Sequence, residues 1–373
     1  MHMHMLREAG SLRGKVVLLR VDFNVEGAAD ALRLERSLPT LAALHRRGAI
    51  TVIISHRGRP GGTSVPVLSL RFAVPFLEKR VTPRVFFIEH AARAHLADHI
   101  KAARPGDILL LENIRFVPEE ESSRLADRLR LAHQLAASAD IYINDAFAVA
   151  HRDGASITEL PRLLPSYAGL LIEKELAHLD RLLHHPPKPL VVVIAGGKAA
   201  DKFEMLKNLH SHASMFLVGG VLANTFLAAR GERVVTSSID ESLIMEVRRF
   251  AHDKKIITPI DFVKNSHGRI LDVGPKTVAL FAEHIHTART IIWNGPLGFF
   301  EDSRYRSGTA GIASSIAHAR AFSVVGGGET TQFLLEERLD AKFGFLSTGG
   351  GAMLAYLAGK KLPGLEALKR THH

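Results

Sequence analysis

Short apolar runs that end in clusters of polar residues recur along this chain. In the first half, Lys15 to Val21 (KVVLLRV), Ile50 to Ile54, Ile108 to Leu111 and Ile141 to Ile143 have the continuous hydrophobicity of strands buried on both faces of a parallel sheet. The second half repeats the plan with Leu190 to Ile194, Met215 to Val218, Ile256 to Ile260, Thr290 to Trp293, Phe322 to Val325 and Phe343 to Leu346. Helical spacing fills the intervals, from about Arg33 to Arg47, within Val234 to Phe250, and from Ala352 to Leu357. Between the halves, Ile172, Leu176, Leu179 and Leu183 recur on one helix face, and Pro186, Pro187 and Pro189 stop that helix.

This pattern predicts an α/β protein of two doubly wound parallel-sheet (Rossmann-like) domains joined by a central helix, with a ligand cleft between them. The expected boundaries are 1–168 for the first domain, 169–185 for the interdomain helix and 186–360 for the second domain. A length of 373 residues agrees with two cores rather than one. No apolar run reaches the ~20 residues of a membrane span, and the N-terminal MHMHMLREAG lacks the apolar centre of a signal peptide. The expected setting is the cytoplasm, with no membrane partner. Zero cysteines remove disulfides, thiolate catalysis and Cys-bound zinc.

The formal charge of +10 raises the question of nucleic acid, but the basic residues are dispersed and aromatic content is only 6%, so that class is set aside. Anionic small molecules account for the charge as well. His95 and His99 stand four apart in HLADH, yet no Glu follows the first and no third ligand is evident, which reads as a solvated helix face rather than a zinc site.

The strand ends carry the chemistry. Asp22 and Asn24 follow the first strand, Ser55-His56-Arg57-Gly58-Arg59 the second, Glu112 to Arg115 the third, and Asn144-Asp145 with His151-Arg152 the fourth. Four consecutive strands delivering Arg or His to the ligand-facing edge of one sheet describe a basic basin for a small, multiply charged acid, because guanidinium forks bind phosphate and carboxylate bidentately. His151-Arg152-Asp153 also opens the catalytic loop of protein kinases. No Asn follows at the required offset, and DFG, GxGxxG and GxxxxGK[ST] are all absent, so the protein-kinase, dinucleotide and Walker readings fail.

Glycine-rich turns follow the strands of the second half: Gly196-Gly197 before Lys198, Gly219-Gly220, Gly295-Pro296 to Gly298, Gly326-Gly327-Gly328 and Gly349-Gly350-Gly351. Triple glycine opening a helix lets backbone N–H groups close on an anion at the positive end of the helix dipole, which favours a nucleotide phosphate site. Glu329 beside Thr330 suits a Mg²⁺ carried by those phosphates, since Mg²⁺ takes only one or two carboxylates from protein.

Taken together, RVDFN at Arg20, SHRGRP at Ser55, LLENIRF at Leu110, NDAF at Asn144 with AHR, EKEL at Glu173, KAADK at Lys198, GG-x-x-ANTF at Gly219, LDVGPKT at Leu271, WNGPLGFFE at Trp293, GGGETT at Gly326, STGGGA at Ser347 and LPGLEAL at Leu362 make the whole chain resemble the phosphoglycerate kinase family. The resemblance implies reversible phosphoryl transfer between 1,3-bisphosphoglycerate and ADP, giving 3-phosphoglycerate and ATP, by a monomer. It implies that Asp22, Asn24, Arg33, His56, Arg59, Arg115 and Arg152 hold the phosphoglycerate. Gly196, Gly197, Lys202, Gly219, Gly220, Pro296, Glu301, Gly327, Gly328, Glu329 and Thr330 are implied to hold ADP or ATP, with Glu329 as the Mg²⁺ ligand. Arg33, Lys198 and Gly350 are assigned to the transferring phosphoryl, with N–H groups of Gly349 to Gly351 helping. The family also implies that 361–373 returns to pack on the first domain, and that hinge closure at the central helix brings the ligands in line.

Several positions depart from the family pattern. Glu329 stands where Asp is usual, Val221 replaces the third glycine of the adenine-side turn, and Ala195 precedes Gly196-Gly197. An alternative expectation is therefore a phosphometabolite-binding homologue weakened in catalysis.

Overall fold

The computed structural model describes residues 3–25, 31–82, 84–89, 95–234 and 236–369. The chain divides into two compact units, one from the described residues of Met1–Ala177 and Lys361–His373, the other from His178–Lys360. The division falls inside the helix Leu170–His184. Within the first unit the C-terminal helix Pro363–Leu368 buries Leu365 and Leu368, and Gly364 N donates to Ala150 O at 2.9 Å. Residues 370–373 of the expected returning segment lie outside the described residues.

Unit 1 contains strands β1 (Val16–Arg20), β2 (Ile50–Ile54), β3 (Val85–Ile88), β4 (Ile108–Leu111), β5 (Ile141–Asn144) and β6 (Ser166–Ala168), paired in parallel in the order β3-β4-β2-β1-β5-β6. The expected four consecutive strands therefore need correction: β3 intervenes in sequence between the second and third. In space the four that carry Arg and His, β4-β2-β1-β5, are nevertheless adjacent. Neither β3 nor β6 stands out in the sequence, because Val85, Phe86 and Phe87 are only partly covered at a sheet edge and β6 is three residues long. Register places Arg20 opposite both Ile54 and Asn144, so the polar groups that follow each strand emerge level along one edge. Val17, Leu19, Phe23, Ile53, Leu110 and Ile143 fill the core beneath them.

Unit 2 contains β7 (Leu190–Ile194), β8 (Met215–Val218), β9 (Ile256–Ile257), β10 (Phe262–Lys264), β11 (Ile270–Val273), β12 (Thr290–Asn294), β13 (Phe322–Gly326) and β14 (Phe345–Leu346). Six form a parallel sheet in the order β14-β13-β12-β7-β8-β9, and β10 with β11 forms a separate antiparallel ribbon. The helix expected within 234–250 is the short Ile244–Val247, with a 3₁₀ turn Glu241–Leu243 before it and another, Arg248–Phe250, after it. Among the described residues of that stretch Leu243 and Val247 are buried, a small apolar area for holding a longer helix.

The chain order in this sheet reverses between β7 and β12, which is where open α/β sheets bind ligands. The two loops leaving that point, Ala195-Gly196-Gly197 and Gly295-Pro296, are pressed together. Gly295 has φ +91°, and a Cβ there would lie 1.9 Å from the Ala195 carbonyl oxygen. Gly295→Ala should therefore cost on the order of 2–3 kcal/mol, from the positive φ and the backbone collision together. Thermal unfolding of the purified variant checks it, and an unchanged transition would refute this close approach.

Candidate functional site

Unit 1 gathers a basin of guanidinium groups around one buried imidazole. His56 is 1% exposed, and its Nδ1 accepts from Arg20 Nη2 at 3.2 Å. Burial, then the positive charges of Arg20, Arg115, Arg33 and Arg152, hold its pKa well below the usual histidine value, so the ring is neutral. With Nδ1 accepting, the ring proton belongs on Nε2, which faces Asp22 Oδ1 at 3.8 Å.

Asp22 is itself engaged: Oδ2 takes Arg33 Nη1 at 3.0 Å and Oδ1 takes the Asn24 N–H at 3.0 Å. Arg33 also donates to the Asn24 carbonyl at 3.1 Å, and Asn24 Oδ1 accepts from Gly58 N at 2.7 Å. Arg115, 5% exposed, reaches Gly58 O at 2.8 Å and pairs with Glu121 at 2.7 Å, while burial pulls its guanidinium below the usual value. Arg152 is half-buried and contacts His151 through Nε at 3.4 Å.

Six of the seven residues expected to hold the acid thus share one electrostatic neighbourhood. Arg59 differs: it is exposed on the 55–62 loop and has no hydrogen-bond or ion-pair partner among the described residues. Arg20 was not among the expected site residues, although it is the innermost guanidinium of the basin. Its signal was a charged residue at the last position of an otherwise apolar strand. A cavity of about 1020 Å³ beside the 55–62 loop, lined by Arg57, Arg71, Phe72, Phe87 and Glu112, includes none of the seven. Its size therefore says nothing about the basin.

In unit 2 the site is built from backbone. The helices Ala199–Leu209, Gly220–Ala229, Gly328–Glu336 and Gly350–Leu357 all begin after strand ends, and none has a side-chain N-cap. In the Gly220–Ala229 helix Val221 N already donates to Gly196 O at 3.1 Å; first-turn N–H groups of the helices that start at Gly328 and Gly350 are the ones suited to an anion. Lys198, exposed and in the left-handed region at φ 52°, precedes the first of them. Gly350 and Gly327 approach so closely that a Cβ on Gly350 would lie 3.2 Å from the Gly327 Cα, which keeps two of these turns together.

Lys202 is 5% exposed and donates to Gly197 O; burial pulls its ammonium down to about 8, partly opposed by Glu329. Gly196, Gly197, Gly220, Pro296, Glu301 and Glu329 line one cavity of about 280 Å³, whose apolar wall includes Val221, Leu297 and Phe299. Two expectations need adjustment. The Thr330 hydroxyl accepts from Gly295 N at 2.9 Å, and Gly349 N donates to Ser347 Oγ at 3.2 Å. Thr330 ties its helix start to the Gly295 loop, and Gly349 N is used within its own turn.

Comparison with known proteins decides what this pair of sites belongs to. The family model described as phosphoglycerate kinase matches residues 6–360. The phosphoglycerate kinase of Desulfosudis oleivorans is 38% identical over 96% of this chain and 97% of its own length, and that of Salinispora tropica is 39% identical over 97% of each. This chain belongs to the phosphoglycerate kinase family. Among solved structures, the phosphoglycerate kinase from Coxiella burnetii matches with a TM-score of 0.82 at 32% identity over 99% of both chains. That from Pyrococcus horikoshii matches with 0.87 at 29% over 98% of both.

Within this family frame the donor set also bears on a metal. No group of three His, Cys, Asp or Glu that could cage a cation occurs among the described residues; the His95 side chain lies outside them. Glu329, by contrast, is exposed in the first turn of its helix and forms no hydrogen bond among the described residues. A single exposed carboxylate at a helix start, its charge felt by Lys202, fits a Mg²⁺ that arrives with phosphates.

The neutral His56 makes a linkage prediction. Its folded pKa lies below its unfolded value of about 6.5, so the unfolded chain binds a proton first and stability falls as pH drops below about 6.5. The slope from this one group approaches about 1.4 kcal/mol per pH unit. Comparing denaturant unfolding of wild type and His56→Gln between pH 7 and pH 5 should show that component missing from the variant. Parallel pH profiles would overturn the neutral-imidazole assignment.

Proposed function

We propose that this chain catalyses reversible phosphoryl transfer between 1,3-bisphosphoglycerate and ADP, giving 3-phosphoglycerate and ATP, the reaction its family name denotes. The observation that carries the reading is the combination, on one chain, of a four-guanidinium basin around His56 and a set of uncapped helix starts beside Lys198 and Lys202. The first suits a small acid with phosphate and carboxylate groups; the second suits a nucleotide's phosphates. A Mg²⁺-bound adenine nucleotide, a monomeric enzyme and a cytoplasmic setting belong to the same proposal. Among the described residues, no helix is long and apolar enough to cross a membrane.

The chemistry asks for placement and charge rather than a protein nucleophile. In the direction of acyl-phosphate formation, a carboxylate oxygen of 3-phosphoglycerate attacks the γ-phosphorus of ATP, a P–O bond forms, and the β–γ bridging oxygen leaves with ADP. Arg115, Arg152, Asn24 and neutral His56 hold the acid; Nε2–H of His56 donates to it without adding charge. Arg33 and Lys198 are assigned to the equatorial oxygens of the transferring group, where charge spreads in the transition state. Open N–H groups at Gly328 and Gly350 hold phosphate oxygens. Glu329 would hold Mg²⁺, which when bound supplies neutralisation of phosphate charge.

Coupled turnover of the purified protein with ATP, Mg²⁺ and 3-phosphoglycerate tests this directly, with about 1–100 s⁻¹ expected. Arg33→Ala and Lys198→Ala should lower kcat by two orders of magnitude or more, whereas Arg115→Ala should chiefly raise KM for 3-phosphoglycerate. Equal, small effects in all three would sink the role assignment. Running Glu329→Asp beside them separates an active enzyme that tolerates Glu from a homologue silenced at its metal position, for which only the Asp variant would turn over.

Lys202 supplies a second test, independent of turnover. Burial holds its pKa near 8, and phosphate beside it restores the charge, so ATP binding at about pH 8.5 should take up part of a proton. Calorimetry in two buffers of different ionisation enthalpy reads that uptake. It should vanish in Lys202→Met; no buffer dependence in wild type would show that Lys202 does not meet the phosphates.

A further inference from the structure

The innermost guanidinium of the basin has a support of its own. Arg20 is 1% exposed, and its Nε donates to Ser156 Oγ at 2.9 Å while another of its nitrogens donates to Val21 O. Ser156 lies in the first turn of the π-helical element Ala155–Glu159, where its N–H has no intrahelical partner and, with its hydroxyl, meets one neighbour. That neighbour is Glu120: Ser156 Oγ donates to Oε1 at 2.5 Å and Ser156 N donates to Oε2 at 2.9 Å.

The directions in this chain are forced. Arginine only donates, so the serine oxygen accepts from Arg20 and must send its own proton on to Glu120. Both oxygens of Glu120 accept, as an ionised carboxylate does, although the side chain is 1% exposed and burial pushes its carboxyl above the ordinary range against the pull of Arg20 and Ser156. A buried charge survives only with a partner; here that partner is Arg20, one serine away. At the other end, Arg20 Nη2 donates to His56 Nδ1.

We propose that Glu120 is a positioning residue for the acid-binding basin: through Ser156 it orients Arg20, and Arg20 in turn holds His56 as the Nε2–H tautomer that faces the substrate. The inference rests on the basin being the acid site. Glu120 belongs to the 3₁₀ turn Pro118–Glu121, whose next residue, Glu121, pairs with Arg115. One acidic turn therefore steadies two guanidinium groups without occupying the basin itself. The charged groups around His56 are Arg20 from β1, Asp22 just after it, Arg33 from the helix Ala31–Arg46, Arg115 from the turn Ile114–Phe116, and Arg152. Among the described residues, only Arg20 of these hydrogen-bonds the ring.

The test uses full-length Glu120→Gln, Ser156→Ala and the double variant. Each single change should raise KM for 3-phosphoglycerate about tenfold, the worth of one misdirected hydrogen bond to a charged group, with KM for ATP unchanged. The double variant should be no worse than the singles, since both break one chain. Histidine ¹⁵N spectra, with His56 identified by its loss in His56→Gln, should show a pyridine-type Nδ1 in wild type. In both single variants that signature should be lost and the ring's titration midpoint should move upward, because Arg20 no longer opposes its charge. A merely structural role would move both KM values together or lower only thermal stability, and either result overturns the proposal, as does an unchanged His56 spectrum. Should Glu120→Gln fail to fold, Ser156→Ala, which removes one atom, decides by the same readouts. Absence of turnover in wild type would instead defeat the functional reading, and the His56 spectra of the variants would still decide whether Glu120 positions Arg20.

Discussion

Four guanidinium groups surrounding one buried imidazole would repel each other, and unit 1 is arranged around making that cluster tolerable. Keeping His56 uncharged removes a fifth positive charge. Counter-charge arrives from Asp22 inside the basin for Arg33, and from residues set back from it: Glu121 for Arg115, and Glu120 behind Ser156 for Arg20. The remaining pull is available to an anionic ligand. Because the carboxylates sit behind or beside the cations, each guanidinium is oriented before a ligand binds, which is the cheaper way to bind one.

Unit 2 solves the corresponding problem with little charge. Its helix starts are left without side-chain caps, and glycines that tolerate backbone contact bring them close; the phosphate site proposed above is built on them. Lys202 is the buried cation among them, and that burial pulls its ammonium below the usual range. Lys198 and Glu329 are exposed, as the proposed roles at the transferring group and its metal require.

Each unit places its chemistry at the carboxyl edge of a parallel sheet, for one geometric reason. Parallel pairing aligns every strand end on the same side, and the paired register brings Arg20, Ile54 and Asn144 level in one sheet and Ile194, Asn294 and Gly326 level in the other. Side chains delivered just beyond those positions meet whether or not they are near in sequence. His56 and Ser156, a hundred residues apart, act on the same Arg20 for this reason.

The amino-acid sequence by itself determined what local pattern can encode: the buried strands, the helix joining the halves, the polar residues at strand ends, the glycine-rich helix starts and, through its motifs, the family. These are legible because an apolar run, a proline stop or a glycine turn acts over a few neighbouring residues. The tertiary structure alone decided the rest. Edge strands β3 and β6 form because neighbours recruit them, and the helix within 234–250 is confined to Ile244–Val247 because little of the stretch is covered. Thr330 ties its helix start to the Gly295 loop, and Gly349 N is used within its own turn. Arg20, Ser156 and Glu120 reveal their connection only in space, since burial, the direction of a hydrogen bond and the protonation of an imidazole depend on groups that folding brings together from distant parts of the chain.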